Sequence, residues 1–388
     1  MPEVNHKKRK HALLSASGAN RWLNCAPSPV LEERYGKDTT SVYAAEGTLA
    51  HEFADTELSY FHNNITKAVY DKTLKKLRAN KLYSSEMEGQ VEKYTSYCIE
   101  QYNVAAKAGG VALTEQRVDF SHIVPEGFGT GDYSVIADAM LEVVDLKYGM
   151  TRVSAEDNPQ LKLYALGLLN KFELSYSIDN VMLTIVQPRL NAVSNWVISV
   201  NDLYKWAEEV VKPTAAIAIK GEGEQVAGTW CKYCKVKPKC KALAKLANQA
   251  AKADFVEPML LTEAEILKAF KTKKIVEDWL KSVEKYIKEE AIAGKTWEGF
   301  KLVAGTTKRK WADEDAVLKL LRANKFPLSK IQNKKLKGIG DISQLMSVDK
   351  FEKLLSEHII KPEGAPTVVP KSDKRTAIGL ASAIEDFS

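Results

Sequence analysis

Three residues near the middle of the chain have types and spacing that suit metal-assisted phosphodiester hydrolysis: Asp132, Asp145 and Lys147. They lie in Gly129-Thr130-Gly131-Asp132 and Val144-Asp145-Leu146-Lys147. Asp145 and Lys147 are two apart, so on a strand they point to one face. A hairpin with a two-residue turn at Asp138-Ala139 would place Asp132 opposite Asp145, both equally far from the turn. Directly opposed side chains have Cβ atoms about 4.5–5.5 Å apart. Two carboxylates that close repel unless a cation lies between them, and Mg²⁺ or Mn²⁺ is the natural partner of oxygen ligands. The lysine can then stabilise negative charge on a phosphate or position the attacking water. The same residues would also suit an exposed hairpin with scattered charges.

A second group has metal-ligand character. Cys231-Lys232-Tyr233-Cys234 and Cys240 give C-x2-C-x5-C. Three cysteines do not complete a four-thiolate site, and Cys25 is the candidate for the fourth. Cys98, the other option, lies in a helical stretch and reads as a small apolar residue. Five cysteines, three of them clustered, do not form a disulfide framework; in a reducing compartment such a cluster more often holds metal.

These residues need elements to position them. Ser15 and Ser17 open a short capped helix over 13–26. Helices are expected over 41–61 and over most of 64–108. Strands are expected at 111–118, 128–137 and 140–147, from alternating or continuous apolar runs. A helix begins at Asn158-Pro159, two more strands fall at 180–187 and 195–200, and a helix over 201–218 leads to the cysteines. The expected organisation is a mixed α/β domain over 12–245, a helical lysine-rich region over 250–360 and a tail over 361–388.

Composition sets limits. The 388 residues are 45% hydrophobic and 27% charged, which excludes a disordered chain. The net charge of +6 does not by itself mark a nucleic-acid binder. Residues 301–340 carry 11 Lys/Arg against 3 acids, which suits either a phosphate-facing surface or a solvated helical face. Within it, Lys308, Arg309 and Lys310 beside Trp311 are candidates for backbone contact with base stacking. Leu336-Lys337-Gly338-Ile339-Gly340 has the look of a helix-hairpin-helix turn, or of an ordinary loop between helices. No apolar run reaches the ~18–20 residues that span a bilayer, and the polar, basic N-terminus has no signal-peptide core. A cytoplasmic protein with no membrane partner is expected.

The acid on one strand followed by Asp-x-Lys on the next resembles the core of the PD-(D/E)XK nuclease superfamily, whose fold is a central mixed sheet flanked by helices. Further matches point to its RecB-like branch. Gly47-Thr48-Leu49-Ala50-His51 resembles the branch's G-x-x-x-H, which implies that His51 is a metal ligand. Gln160-Leu161-Lys162-Leu163-Tyr164 resembles its Q-x-x-x-Y, which implies that Gln160 and Tyr164 border the active site and contact DNA. Glu115 stands where a secondary acid often occurs, and a solvent-facing Glu fits there equally. One cysteine before the core and three after it is the arrangement of the iron-staple nucleases, the AddB-type helicase-nucleases and the nucleases of CRISPR adaptation. That implies a 4Fe-4S cluster on Cys25, Cys231, Cys234 and Cys240, with a structural Cys₄ zinc site as the alternative. Ala26 intervenes between Cys25 and Pro27, a departure from the family's Cys-Pro.

The resemblance covers about residues 13–245. It implies one or two Mg²⁺ or Mn²⁺ ions held by His51, Asp132, Asp145 and the Leu146 carbonyl, with Lys147, Gln160 and Tyr164 completing the catalytic set. The C-terminal part resembles a phage and prophage nuclease family encoded beside single-strand annealing proteins. The activity implied is a DNA exonuclease that resects ends during phage recombination, acting in the host cytoplasm with a single-strand annealing or single-strand binding partner. Its rivals are a structure-specific endonuclease, a non-catalytic Fe-S DNA-binding scaffold and a zinc-stabilised regulator.

Overall fold

The computed structural model describes residues 12–36, 42–251, 262–305, 310–331, 336, 338–343, 345–346, 348–360, 364–370 and 376–377. Contacts divide the chain into two compact units, Met1–Trp279 and Leu280–Ser388.

In the first unit, the Ser15 hydroxyl accepts from Gly18 N–H and starts a 3₁₀ turn, Ala16–Gly18, that runs into α1 (Ala19–Asn24). A second short helix, α2 (Ser28–Tyr35), follows with Pro29 in its first turn. Next come α3 (Val42–Phe61), α4 (Lys67–Arg78) and α5 (Ser85–Ala106). The stretch read as mostly helical over 64–108 is therefore two helices. Asn80 turns the chain by accepting from Leu82 N–H, and Ser84 caps α5 at Met87 N–H.

The strands β1 (Val111–Asp119), β2 (Phe128–Ala137), β3 (Ala139–Leu146), β4 (Ile178–Gln187) and β5 (Ala192–Ser199) form one sheet in sequence order. All neighbours are antiparallel except β3 and β4, which run parallel. A parallel pair needs a crossover, and α6 (Pro159–Phe172) supplies it. Asn158 caps α6 by accepting from Gln160 and Leu161 N–H, and Pro159 sits where no donor is needed. Every residue of α6 from Leu161 to Leu169 is buried.

Strand periodicity divides the core in two. Leu141 and Val143 of β3 join Trp22 of α1 and Leu161, Leu166 and Leu169 of α6 on one face. Val144 and Leu146 join Leu49, Phe53 and Leu58 of α3, with Val91 and Tyr94 of α5, on the other. The unit is thus a mixed five-stranded sheet covered by helices on both faces, the architecture expected from the sequence.

After β5, the helix expected over 201–218 is interrupted. It consists of α7 (Val200–Trp206), a π turn (Ala207–Val211) and α8 (Lys212–Ala218). Pro213, which cannot donate a main-chain bond, lies in the first turn of α8. The cysteine segment leads into α9 (Lys241–Ala251). The division between the units falls within α10 (Glu263–Ile292).

The second unit is mainly helical, with α11 (Glu314–Ala323), α12 (Leu328–Ile331), α13 (Ile339–Ser343) and α14 (Val348–Leu355). It also contains strands that the helical reading missed. The strand β6 (Phe300–Gly305) pairs with β9 (Gly364–Pro370), and β7 (Lys310–Trp311) pairs with β8 (Ile359–Ile360). The segment read as a tail from 361 therefore supplies a strand. Its prolines are compatible with that: Pro366 falls at a break in register and Pro370 at the strand's end. Trp311, Val317, Leu321, Ile331, Ile342, Phe351 and Leu355 form this unit's core. No helix of the described residues is long and apolar enough to cross a membrane.

Candidate metal centre

The hairpin that carries the paired acids has the expected register. Ala137 pairs with Met140 and Tyr133 with Val144, which leaves Asp138-Ala139 as the turn and brings the ladder to within one residue of Asp132 and Asp145. Ala139 has φ +68, a left-handed conformation that favours glycine or asparagine. Its N–H donates to the Ser177 carbonyl at 2.6 Å, which anchors the turn to the chain entering β4.

Asp145 is almost fully buried, at 2% exposure. A bare carboxylate there would be costly, so its partners decide whether it can stay charged. Its Oδ1 accepts from Gln160 Nε2 at 3.0 Å, and its Oδ2 lies 2.8 Å from Lys147 Nζ. Gln160 Oε1 in turn accepts from Lys147 Nζ at 3.1 Å, so one amide fixes both charged groups. Tyr164, one turn along α6, has its hydroxyl 3.5 Å from Gln160 Nε2. Gly129 makes room for that ring: a Cβ at 129 would lie 2.7 Å from Tyr164 Cε1. The glycine of Gly-Thr-Gly-Asp thus seats the tyrosine of Gln-x-x-x-Tyr.

Asp132 reaches toward α3. Its Oδ2 accepts from Leu146 N–H at 2.8 Å, and its Oδ1 lies 3.3 Å from His51 Nδ1 on α3. Leu146 thus takes part in the centre through its main-chain N–H, while its side chain is in the core. Glu115 completes the group. It lies level with Asp132, between the pairs Thr114–Tyr133 and Gln116–Gly131. Ligand atoms of His51, Glu115 and Asp132 all fall within 4.8 Å of one another. Glu115 has φ +40, rare and costly for a side chain of this kind, and such strain concentrates at functional sites.

The electrostatics follow from crowding acids around two bases. Burial alone would lower the His51 imidazole, but the Asp132 charge and hydrogen bond, with Asp145 behind them, hold it at about 9. Burial works against Asp132 as well, yet His51 and Lys147 keep its carboxyl below the usual range. Asp145 is pushed up by burial and by the Asp132 charge, against the pull of Lys147. Glu115 is exposed at one edge; loss of water and then the Asp132 charge push it up to about 7, against the pull of His51. Without a cation the centre holds itself together as two ion pairs, His51–Asp132 and Lys147–Asp145. A mixed nitrogen and carboxylate donor set of this kind fits Mn²⁺ or Mg²⁺.

The structure therefore brings His51, Asp132, Asp145, Lys147, Gln160 and Tyr164 to one place, and adds Glu115. The sequence offered only a weak signal for Glu115, a single acid on the first strand. The basic stretch is different. Lys308 and Arg309 lie outside the described residues, and Lys310 is exposed on β7. Trp311, expected to stack on bases, is buried with its ring against Phe351, so core packing occupies the face a base would need.

The four expected cysteines also converge. Cys25, Cys231, Cys234 and Cys240 line one pocket with apolar Leu31 and Trp230. All are free thiols. Burial raises Cys25 and Cys231 and pushes Cys234 up to about 12, where the Glu32 charge adds to it. Main-chain N–H groups of Val226 and Ser28 address Cys25, and that of Gly228 donates to Cys231 Sγ at 3.4 Å. Such donors favour thiolates, so this donor set fits a thiolate-bound metal or cluster. Cys98 is buried in the other core, away from these four.

A family model described as "Protein of unknown function (DUF2800)" matches residues 11–376. The chain belongs to the DUF2800 family. Among solved structures, one titled "Crystal structure of SSO0001" is similar over 56% of this chain and 95% of its own, at 13% identity and a TM-score of 0.24.

Proposed function

We propose that this DUF2800 chain is a divalent-metal-dependent deoxyribonuclease. The observation that carries the reading is the joint convergence of His51, Glu115 and Asp132 on one side and Asp145, Lys147 and Gln160 on the other. A bound Mg²⁺ or Mn²⁺ would supply Lewis-acid stabilisation of a phosphoryl oxygen and a more acidic water. His51, Asp132 and Glu115 would hold it, with Asp145 beside them. Lys147, freed in part from Asp145, would stabilise charge developing on the phosphate or orient the attacking water. Gln160 would keep Asp145 and Lys147 aligned, and Tyr164 would border the path of the strand. Water would attack phosphorus and the sugar oxygen would leave, so every turnover breaks one phosphodiester bond.

The preferred activity is exonucleolytic, resecting DNA ends for recombination, and the four cysteines are proposed to hold a 4Fe-4S cluster. Both rest on the sequence resemblance joined to this geometry. A single-strand annealing or single-strand binding protein enters as the proposed partner on the resemblance alone. The test is incubation of anaerobically purified protein with end-labelled linear DNA and with closed circular DNA, in Mg²⁺, Mn²⁺ or EDTA, beside Asp145→Asn. Metal-dependent loss of linear DNA that spares circles and vanishes in the variant supports the exonuclease. Cutting of circles supports the endonuclease. Failure of cluster-loaded protein to cut either substrate, with or without an annealing partner, would defeat the nuclease reading.

A further inference from the structure

The cysteine pocket contains two polar side chains that the four thiols do not explain. Ser28 is 2% exposed and lines the pocket, yet its Oγ has no hydrogen-bond partner among the described residues. A buried hydroxyl without a partner is costly and calls for an acceptor. Arg21 also lines the pocket. Its guanidinium is fixed by Glu32, Nη2 to Oε2 at 2.6 Å, with only 23% and 10% of the two side chains exposed.

Glu32 does a second thing. Its other oxygen, Oε1, accepts from the main-chain N–H of Lys235 at 2.7 Å. Lys235 follows Cys234 directly, so this carboxylate ties the α1–α2 corner to the cysteine segment some two hundred residues on. Gly36, just past α2, allows the same approach: a Cβ there would lie 2.8 Å from Lys235 Cβ.

We propose that Ser28 and Arg21 are contact residues for a polyanionic iron–sulfur cluster, and that Glu32 holds the pocket's two halves in place whether or not the cluster is bound. The inference rests on the cluster reading above. Four thiolates around a 4Fe-4S core leave net negative charge and exposed sulfur acceptors. The Ser28 hydroxyl supplies a hydrogen bond to sulfur and Arg21 supplies compensating charge. Donors and charge at the sulfurs are among the levers that set a cluster's reduction potential and its resistance to loss. A zinc ion on four thiolates also carries negative charge and sulfur acceptors, so counting iron and inorganic sulfide separates the two.

The test compares full-length wild type with Ser28→Ala, Arg21→Gln and Glu32→Gln, all purified anaerobically. Iron, sulfide and zinc are counted first. The midpoint potential is then read by EPR-monitored titration, and cluster lifetime by loss of visible absorbance under a chelator. The expected result is four irons and four sulfides in wild type, with a more negative midpoint in Ser28→Ala and Arg21→Gln. Glu32→Gln is expected to lose its cluster several-fold faster. Unchanged midpoints and lifetimes in cluster-loaded variants would overturn this inference and leave the cluster standing. One zinc and no sulfide in wild type would overturn the cluster reading itself. Circular dichroism of each variant separates these outcomes from simple misfolding.

Discussion

Metal binding at His51, Glu115 and Asp132 should depend steeply on pH, and the steepness should belong to His51. In the metal-free protein the His51 imidazole is held at about 9 and Glu115 at about 7. An imidazole that ligates must first give up its proton. Below pH 9 each unit of acidification therefore weakens binding about tenfold, and Glu115 adds its own competition near and below 7. Between pH 8.5 and 6.5 the two effects multiply to about 300-fold, or about 3 kcal/mol. His51→Gln keeps only the Glu115 contribution, about fourfold over the same range. The assay is titration with Mn²⁺, following the EPR signal of the free ion. The linkage also acts on folding, with the opposite sign. His51 is raised above its unfolded value, so the stability from its pairing with Asp132 is full below about 6.5 and is lost as pH rises through about 9. The rise in Tm caused by Mn²⁺ should accordingly grow with pH. Wild-type affinity that varies less than about tenfold, or a His51→Gln slope equal to the wild type, would refute the reasoning.

Other expectations follow from particular contacts. Asp145→Asn should lower metal-dependent cleavage by on the order of a thousandfold while circular dichroism stays native, since its proposed role is charge at the reacting centre. Gln160→Leu removes the amide that aligns Asp145 and Lys147, and should cost about 10–100-fold in Mn²⁺ affinity or kcat. Gly129→Ala drives a methyl into Tyr164 and should destabilise by about 1–3 kcal/mol in denaturant titration. Adding Tyr164→Ala should recover part of that loss, and an additive double mutant would show that the two residues do not interfere. Trp311→Ala should cost about 3–5 kcal/mol in the second unit and leave DNA affinity of the first unit unchanged, as suits a core residue.

Much of the first unit was legible in the sequence because its signals are local. The hairpin register, as far as Tyr133–Val144, follows from strand period and a two-residue turn. Asn158-Pro159 announced the start of α6 through a cap and a missing donor. The cysteine spacing pointed to one pocket across two hundred residues. The rest was decided by tertiary context. Glu115, read either as a secondary acid or as a solvent-facing one, is settled only when β1 is laid against β2 and brings it beside His51 and Asp132 in a left-handed conformation. Trp311 beside three basic residues suggested stacking, but a tryptophan's neighbours in sequence do not say which face is buried. The strand at Gly364–Pro370 was hidden because its proline content argues for a tail, and only pairing with Phe300–Gly305 overrides it.

The topology also decides how the two candidate metal groups depend on each other. Cys25 follows α1 directly, and α1 packs through Trp22 against the face of the sheet that α6 covers. Gln160 and Tyr164 sit on α6, so the pocket and the Asp145–Lys147 half of the centre share one layer. His51 comes from α3, in the layer on the opposite face. Loss of whatever the cysteines hold would therefore loosen α1 and then α6, and with them the alignment of Lys147. The His51–Asp132 half is braced by a separate core and would suffer less. Under the proposed nuclease reading, the cysteines would bear chiefly on catalysis and the α3 face chiefly on metal affinity, a partition that follows from which helix layer braces each residue.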